Sequence, residues 1–117
     1  MSVKKKALKS EDFVHLHNHT QYSLLDGLTK VPELIKHIKK EKMSAVAITD
    51  HGTLSGTIEF YQQAKSHGIK PLIGMETYVA ARTLNDKEPG KDKQNYHLIL
   101  IAMNQTGYQN LMALSTI

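Results

Sequence analysis

The apolar positions change period several times along the chain, and each change marks an element. Residues 13–17 are short, apolar and β-branched enough for a strand. Over 31–42, Leu34, Ile35 and Ile38 fall at helical spacing with lysines on the other side. Pro32 stands in the first turn, where its missing N–H costs nothing, so an amphipathic helix is predicted there. Lys39, Lys40 and Lys42 near its end suit the helix dipole. Residues 45–49, Ala-Val-Ala-Ile-Thr, show almost no alternation, as expected of a strand covered on both faces. A second helix is predicted over 55–67 from Ile58, Tyr61 and Ala64, with Gly56 near its start and Gly68 as its left-handed stop. A third strand over 70–74, with Pro71 near its first residue, runs on into 75–79. The polar stretch 82–95, containing Pro89-Gly90, reads as an exposed loop, and 97–103 as a fourth strand. Thr106 is the expected cap of a last helix carrying Tyr108, Leu111, Met112 and Leu114.

Strand, helix, strand, helix, strand, strand, helix is an α/β order, and the continuous apolar strands favour parallel pairing. An open doubly wound sheet ordinarily carries a glycine-rich turn after its first strand. A histidine cluster occupies that place here, which favours a barrel or part of one.

Composition narrows the setting. With 117 residues the chain is one domain at most, or a piece of a larger one. No apolar run approaches a membrane span. The basic start, Met1-Ser2-Val3-Lys4-Lys5-Lys6, has no apolar stretch behind it and is not a secretory signal; residues 1–12 read as a flexible or partly ordered basic leader. The absence of cysteine excludes disulfides and thiolate metal sites within the chain and leaves a cytoplasmic setting as the default. The net charge of +4 leans on Lys4, Lys5, Lys6 and the Lys36-Lys39-Lys40-Lys42 cluster. A nucleic-acid or phosphate partner fits that balance, and so does a solvated helix face.

The chemistry collects at strand ends. His15, His17 and His19 lie within five residues, and side chains two apart on a strand share a face, so His17 and His19 point the same way. The turn at Asp26-Gly27 can return a carboxylate over the same spot. Two imidazoles and a carboxylate suit zinc, manganese or iron. In (β/α) barrels the working residues project from the C-terminal ends of strands. The first strand ends in His17 and His19, the second in Asp50-His51, and the third runs toward Glu76. Each has a plain explanation alone, as a turn or a surface acid; their joint placement points to a metal site. His97 opens its strand, so the same rule reads it as a core or edge histidine. His37 and His67 are expected to face solvent, and His15 to pack or hydrogen-bond.

These segments also carry a resemblance. Leu16-His17-Asn18-His19-Thr20, Tyr22-Ser23-Leu24-Leu25-Asp26-Gly27, Ile48-Thr49-Asp50-His51-Gly52, Gly68-Ile69-Lys70-Pro71-Leu72-Ile73-Gly74 and Asn95-Tyr96-His97-Leu98 follow one another in order. Over 13–117 the chain resembles the PHP (polymerase and histidinol phosphatase) domain family. Its Ser-Leu-Leu-Asp-Gly segment and Thr106-Gly107-Tyr108-Gln109-Asn110-Leu111 resemble the branch found at the N-terminus of bacterial DNA polymerase III α subunits. The resemblance implies the N-terminal portion of a distorted (β/α)7 barrel with mostly parallel strands, holding up to three divalent ions. By matching positions it implies His17, His19, Asp26, His51, Glu76 and His97 as metal ligands, against the pattern-based reading of His97. Asp50 would orient rather than bind, and no catalytic residue apart from the ligands is implied. The family's remaining ligands and closing strands match nothing here, so the PHP domain over 13–117 is expected to be incomplete at its C-terminal side and inactive alone. The implied activity is metal-dependent 3′–5′ exonucleolytic phosphodiester hydrolysis at DNA primer ends within a replicative polymerase. The implied partners are the rest of the polymerase chain, a proofreading subunit and other replisome subunits. Two alternatives are a non-catalytic structural and docking module, and a stand-alone phosphoesterase of the histidinol-phosphatase kind.

Overall fold

The structure is a computed structural model that describes residues 7–117. The expected leader falls partly on residues 1–6, which lie outside the described residues; its remainder holds one 3-10 turn, Ser10–Asp12.

The first helix, α1 (Val31–Lys40), buries Val31, Leu34, Ile35 and Ile38, the stripe that the spacing predicts. Full burial of such side chains stabilises by about 1.5–3 kcal/mol each. The helix stops two residues before the expected 42. Lys42 takes a left-handed φ of 58°, and the amides of Lys42 and Met43 bond back to the carbonyls of Lys39 and Ile38. That closing motif usually recruits glycine. The second helix, α2 (Thr57–Ser66), ends in the same way with glycine in place: Gly68 has φ 73°, and Gly68 and Ile69 bond back to Lys65 and Ala64.

Strand β1 (Ala45–Ile48) is buried at every position, and β2 (Lys70–Ala80) is one continuous strand of 11 residues. β1 and β2 pair in parallel from Ala45↔Lys70 to Ile48↔Ile73. The second half of β2 pairs antiparallel with β3 (Asn95–Ile101), from Gly74↔Ile101 to Ala80↔Asn95. The sheet order is β1-β2-β3. The parallel expectation thus holds for β1–β2 but not for the last strand, which returns as a hairpin through the exposed loop at 81–94. That loop is clasped by Arg82, whose guanidinium bonds to Asp92 and Glu88. The last helix, α3 (Gln105–Leu114), is capped not by Thr106 but by Asn104, whose Oδ1 accepts from the Gly107 amide at 3.0 Å. The core lies between α1, α2 and the sheet, built from Val31, Ile35, Ile38, Val46, Ile48, Phe60 and Ile69 among others, with Tyr22 and Ile73 against it.

The strand expected at 13–17 is not a regular one. The extended segment lies beside β1, where the amides of Ala47 and Thr49 donate to the carbonyls of His15 and Asn18. Those carbonyls are three residues apart and those amides two, so one residue is in excess. The Asn18 side chain occupies the gap, its Nδ2 donating to Ala47 O at 3.0 Å and His15 O at 3.2 Å. The Asn18 amide donates in turn to Thr49 Oγ1 at 2.8 Å. Side-chain bonds replace part of the ladder, which is the local signature of a bulge.

Candidate metal centre

Six side chains from five segments meet just past the end of β1, over the middle of β2. The hub is Glu76, on the inner stretch of β2 and buried, with 2% of its side chain exposed. His17 and His19 Nε2 lie 2.6 and 2.5 Å from its Oε2 and 3.2 Å from each other. His97 Nδ1 lies 2.6 Å from its Oε1, and His51 Nδ1 lies 3.7 Å from the same oxygen. His51 Nε2 reaches Asp26 Oδ2 at 2.6 Å. The sequence-based placement of His17, His19, Asp26, His51 and Glu76 on one pocket is therefore what the structure shows.

The backbone explains the convergence. The β1–β2 register runs on past β1, with His51 bridged to Glu76, the Glu76 amide on Asp50 O at 3.0 Å and the Gly52 amide on Glu76 O at 2.8 Å. Parallel partners project to one face, so His51 and Glu76 point together. His97 joins them because β3 is antiparallel: its first half pairs with the part of β2 that runs on past β1. The objection that His97 opens its strand assumes a parallel neighbour, and the structure removes that assumption. The Tyr78↔His97 pair puts His97 diagonally across from Glu76.

Asp50 faces the other way, into the protein, and touches no imidazole. It is buried; its Oδ1 accepts from the Thr20 amide at 2.5 Å and Ser23 Oγ at 2.9 Å, and its Oδ2 from Thr20 Oγ1 at 2.8 Å. Ser23 Oγ also accepts from the His51 amide at 3.1 Å. One carboxylate thus ties the backbone beside His19 to the backbone of His51. The loop it anchors closes where Gly27 passes Thr20; a Cβ on Gly27 would stand 1.9 Å from Thr20 O, so only glycine fits. Asp26 follows from that turn and remains 62% exposed. Neither Thr20 nor Ser23 was singled out from sequence. Hydroxyls at 20 and 23 flanking a tight turn were the available signal.

The remaining histidines lie apart. His37 and His67 are exposed on or after their helices, as expected, and His15 packs edge-on against Phe13 with ring centroids 4.8 Å apart.

Burial pushes the Glu76 carboxyl up, but hydrogen bonds from His19 and His17 and the nearby His51 outweigh it and hold the group below its ordinary 4.5. Three overlapping sets each place their donor atoms within 4.8 Å of one another: His17, His19 and Glu76; His19, Asp26 and His51; His51, Glu76 and His97. The donors are nitrogen and oxygen only, a borderline-to-hard set. The His51 Nδ1 is buried without a hydrogen-bond partner, an unfilled donor site facing the cluster. Glu76 and Asp26 bring two carboxylates to the pocket, and a divalent cation is the complementary charge.

The comparisons with known proteins agree. The PHP domain family matches residues 15–117. The DNA polymerase III subunit alpha of Borreliella burgdorferi is 50% identical over 106 residues, covering 90% of this chain and 9% of that protein. The corresponding subunit of Aquifex aeolicus is 49% identical over 114 residues, covering 92% and 10%. That of Helicobacter pylori is 50% identical over 109 residues, covering 92% and 9%. The chain thus spans about a tenth of the length of the curated relatives it matches. Among solved structures, an amidohydrolase from Chromobacterium violaceum with bound sulfate and no metal superposes with a TM-score of 0.59 at 23% identity, over 86% of this chain and 32% of that one. A candidate metal-dependent phosphoesterase from Bifidobacterium adolescentis gives 0.59 at 22%, over the same 86% and 32%. These two likenesses concern the fold. By the match across 15–117, and by the order in which its motifs recur, the chain belongs to the PHP domain family.

Proposed function

We propose that His17, His19, Asp26, His51, Glu76 and His97 hold divalent ions, zinc, manganese or iron, and that the chain is the PHP module of a bacterial replicative polymerase of the DNA polymerase III α type. The observation that carries this is the convergence of three nitrogens and both oxygens of one buried carboxylate within hydrogen-bonding distance. Bound ions would lower the pKa of water and neutralise a phosphate under attack, which supports metal-dependent 3′–5′ phosphodiester hydrolysis at a DNA primer end.

The residues themselves set the conditions. Glu76, buried, forms the floor of the cluster. His17, His97 and Asp26 stand half-exposed around the mouth and leave it open to a phosphodiester approaching from solvent. Asp50, through Thr20 and Ser23, fixes the backbones of His19 and His51, and acts on their orientation rather than on the reacting atoms. Residues 13–117 form this unit. The partners of the reading are primer DNA, the remainder of the polymerase chain, a proofreading subunit and other replisome subunits, in the cytoplasm.

A second reading, a structural and docking module with idle ligands, draws support from the direct His51–Asp26 and His97–Glu76 pairs, which partly satisfy the cluster without an ion. A stand-alone phosphoesterase of the histidinol-phosphatase kind is less favoured, since the long relatives are polymerase subunits. Metal analysis after dialysis of the domain restored to full length, with a 3′-end degradation assay on a labelled primer, separates them. We expect tightly held zinc, manganese or iron, and degradation that a chelator stops. Bound metal without degradation supports the docking module; no bound metal in the parent protein refutes the metal centre.

A further inference from the structure

We propose that Tyr78 is a positioning residue whose ring, rather than a hydrogen bond, orients His51 and His97 in the cluster. This rests on the metal-centre reading above. A histidine that ligates a metal usually donates its other ring N–H to a carboxylate or carbonyl outside the site, and that bond sets the ring's angle. His51 lacks such a partner. Its Nε2 faces Asp26, a member of the cluster, and its Nδ1 is buried with no hydrogen bond at all. Whichever nitrogen binds an ion, the other still faces inward. For His97, Nδ1 is on Glu76, and its outer nitrogen makes no hydrogen bond among the described residues.

Besides Glu76 and each other, at 5.3 Å between centroids, both rings meet Tyr78. It follows Glu76 by two residues on β2, so its side chain rises on the same face. It is also the direct cross-strand partner of His97. Its ring lies nearly parallel to the His51 imidazole, at 14° with centroids 6.1 Å apart, and meets the His97 imidazole edge to face at 79° and 5.1 Å. Stacked and edge-to-face are the arrangements that aromatic pairs prefer, and His19 also lies against the His51 ring, with centroids 4.0 Å apart. Tyr78 itself is half-exposed and its hydroxyl bonds to nothing among the described residues, so no demand of the core accounts for its contacts. The ring does for His51 and His97 what an outer acceptor does elsewhere.

The test is a cobalt(II) titration of the full chain, following affinity and the visible d–d absorption bands, for the parent, Tyr78→Phe, Tyr78→Ala and Glu76→Gln. Tyr78→Phe should match the parent, because the ring is retained. Tyr78→Ala should weaken cobalt binding about tenfold, the low end of what loss of a ligand-orienting partner costs, and alter the band shape, with far-UV circular dichroism unchanged. If Tyr78→Ala stays within twofold of the parent with identical bands, or if Tyr78→Phe is as impaired as Tyr78→Ala, the ring is not the positioning element. Those results leave the metal centre standing when Glu76→Gln still abolishes binding. A parent that takes up no cobalt overturns both.

Discussion

Asp50 offers the sharpest test of how the site is held. It is buried and accepts three hydrogen bonds, from the Thr20 amide, Thr20 Oγ1 and Ser23 Oγ. Bonds to a charged group contribute about 1.5–3 kcal/mol each, so simple addition gives roughly 5–9 kcal/mol. The three share one carboxylate and are not independent, and the two hydroxyls can re-pair. The Thr20 amide, fully buried, cannot. We therefore expect Asp50→Ala to cost about 3–5 kcal/mol. Asp50→Asn should cost about 1–2 kcal/mol, because its carbonyl still accepts from Thr20 N and Ser23 Oγ while Thr20 Oγ1 turns to accept from the new amide. Urea denaturation of metal-free protein measures this as a fall in midpoint at unchanged slope. A loss below about 1 kcal/mol for Asp50→Ala, or equal losses for the two variants, would refute the argument that this carboxylate ties the loop to β1.

Three further outcomes follow from the same geometry. Gly27→Ala, which sets a Cβ against Thr20 O, should destabilise by more than about 3 kcal/mol and remove ion binding together with the Asp26 turn; a soluble variant with parent-like thermal unfolding would contradict the close approach. Glu76 is held below its ordinary 4.5, so its ionised form stabilises the fold fully above that pH and progressively less as the pH falls through its lowered value. The stability gap between parent and Glu76→Gln in metal-free protein should accordingly shrink as the pH falls below 4.5, and a gap unchanged through the acid range would be the contrary result. Zinc at 100 times its dissociation constant should raise stability by about 2.7 kcal/mol. For a domain of this size that is a rise of roughly 10 °C in the melting temperature, reversed by chelator; no shift on adding zinc or manganese would count against the centre.

Much of this molecule was readable from local pattern. The α1 stripe, the uninterrupted apolar run of β1 and the Gly68 stop depend on residues within a few positions of one another, where periodicity and backbone preference decide. The candidate donors were legible too, because His17, His19, Asp26 and His51 sit at turns and strand ends and Glu76 lies on β2 just past its parallel pairing with β1. Pairing direction is different: it joins residues distant in sequence and leaves no periodic trace. Only the tertiary structure showed β3 running antiparallel, which carries His97 to the cluster and Tyr78 against two imidazoles. Likewise residues 13–17 have strand composition, yet the Asn18 side chain competes for the ladder positions of β1, and that competition exists only once the two segments touch. Composition chose the donors; the direction and register of non-local pairs decided which of them meet.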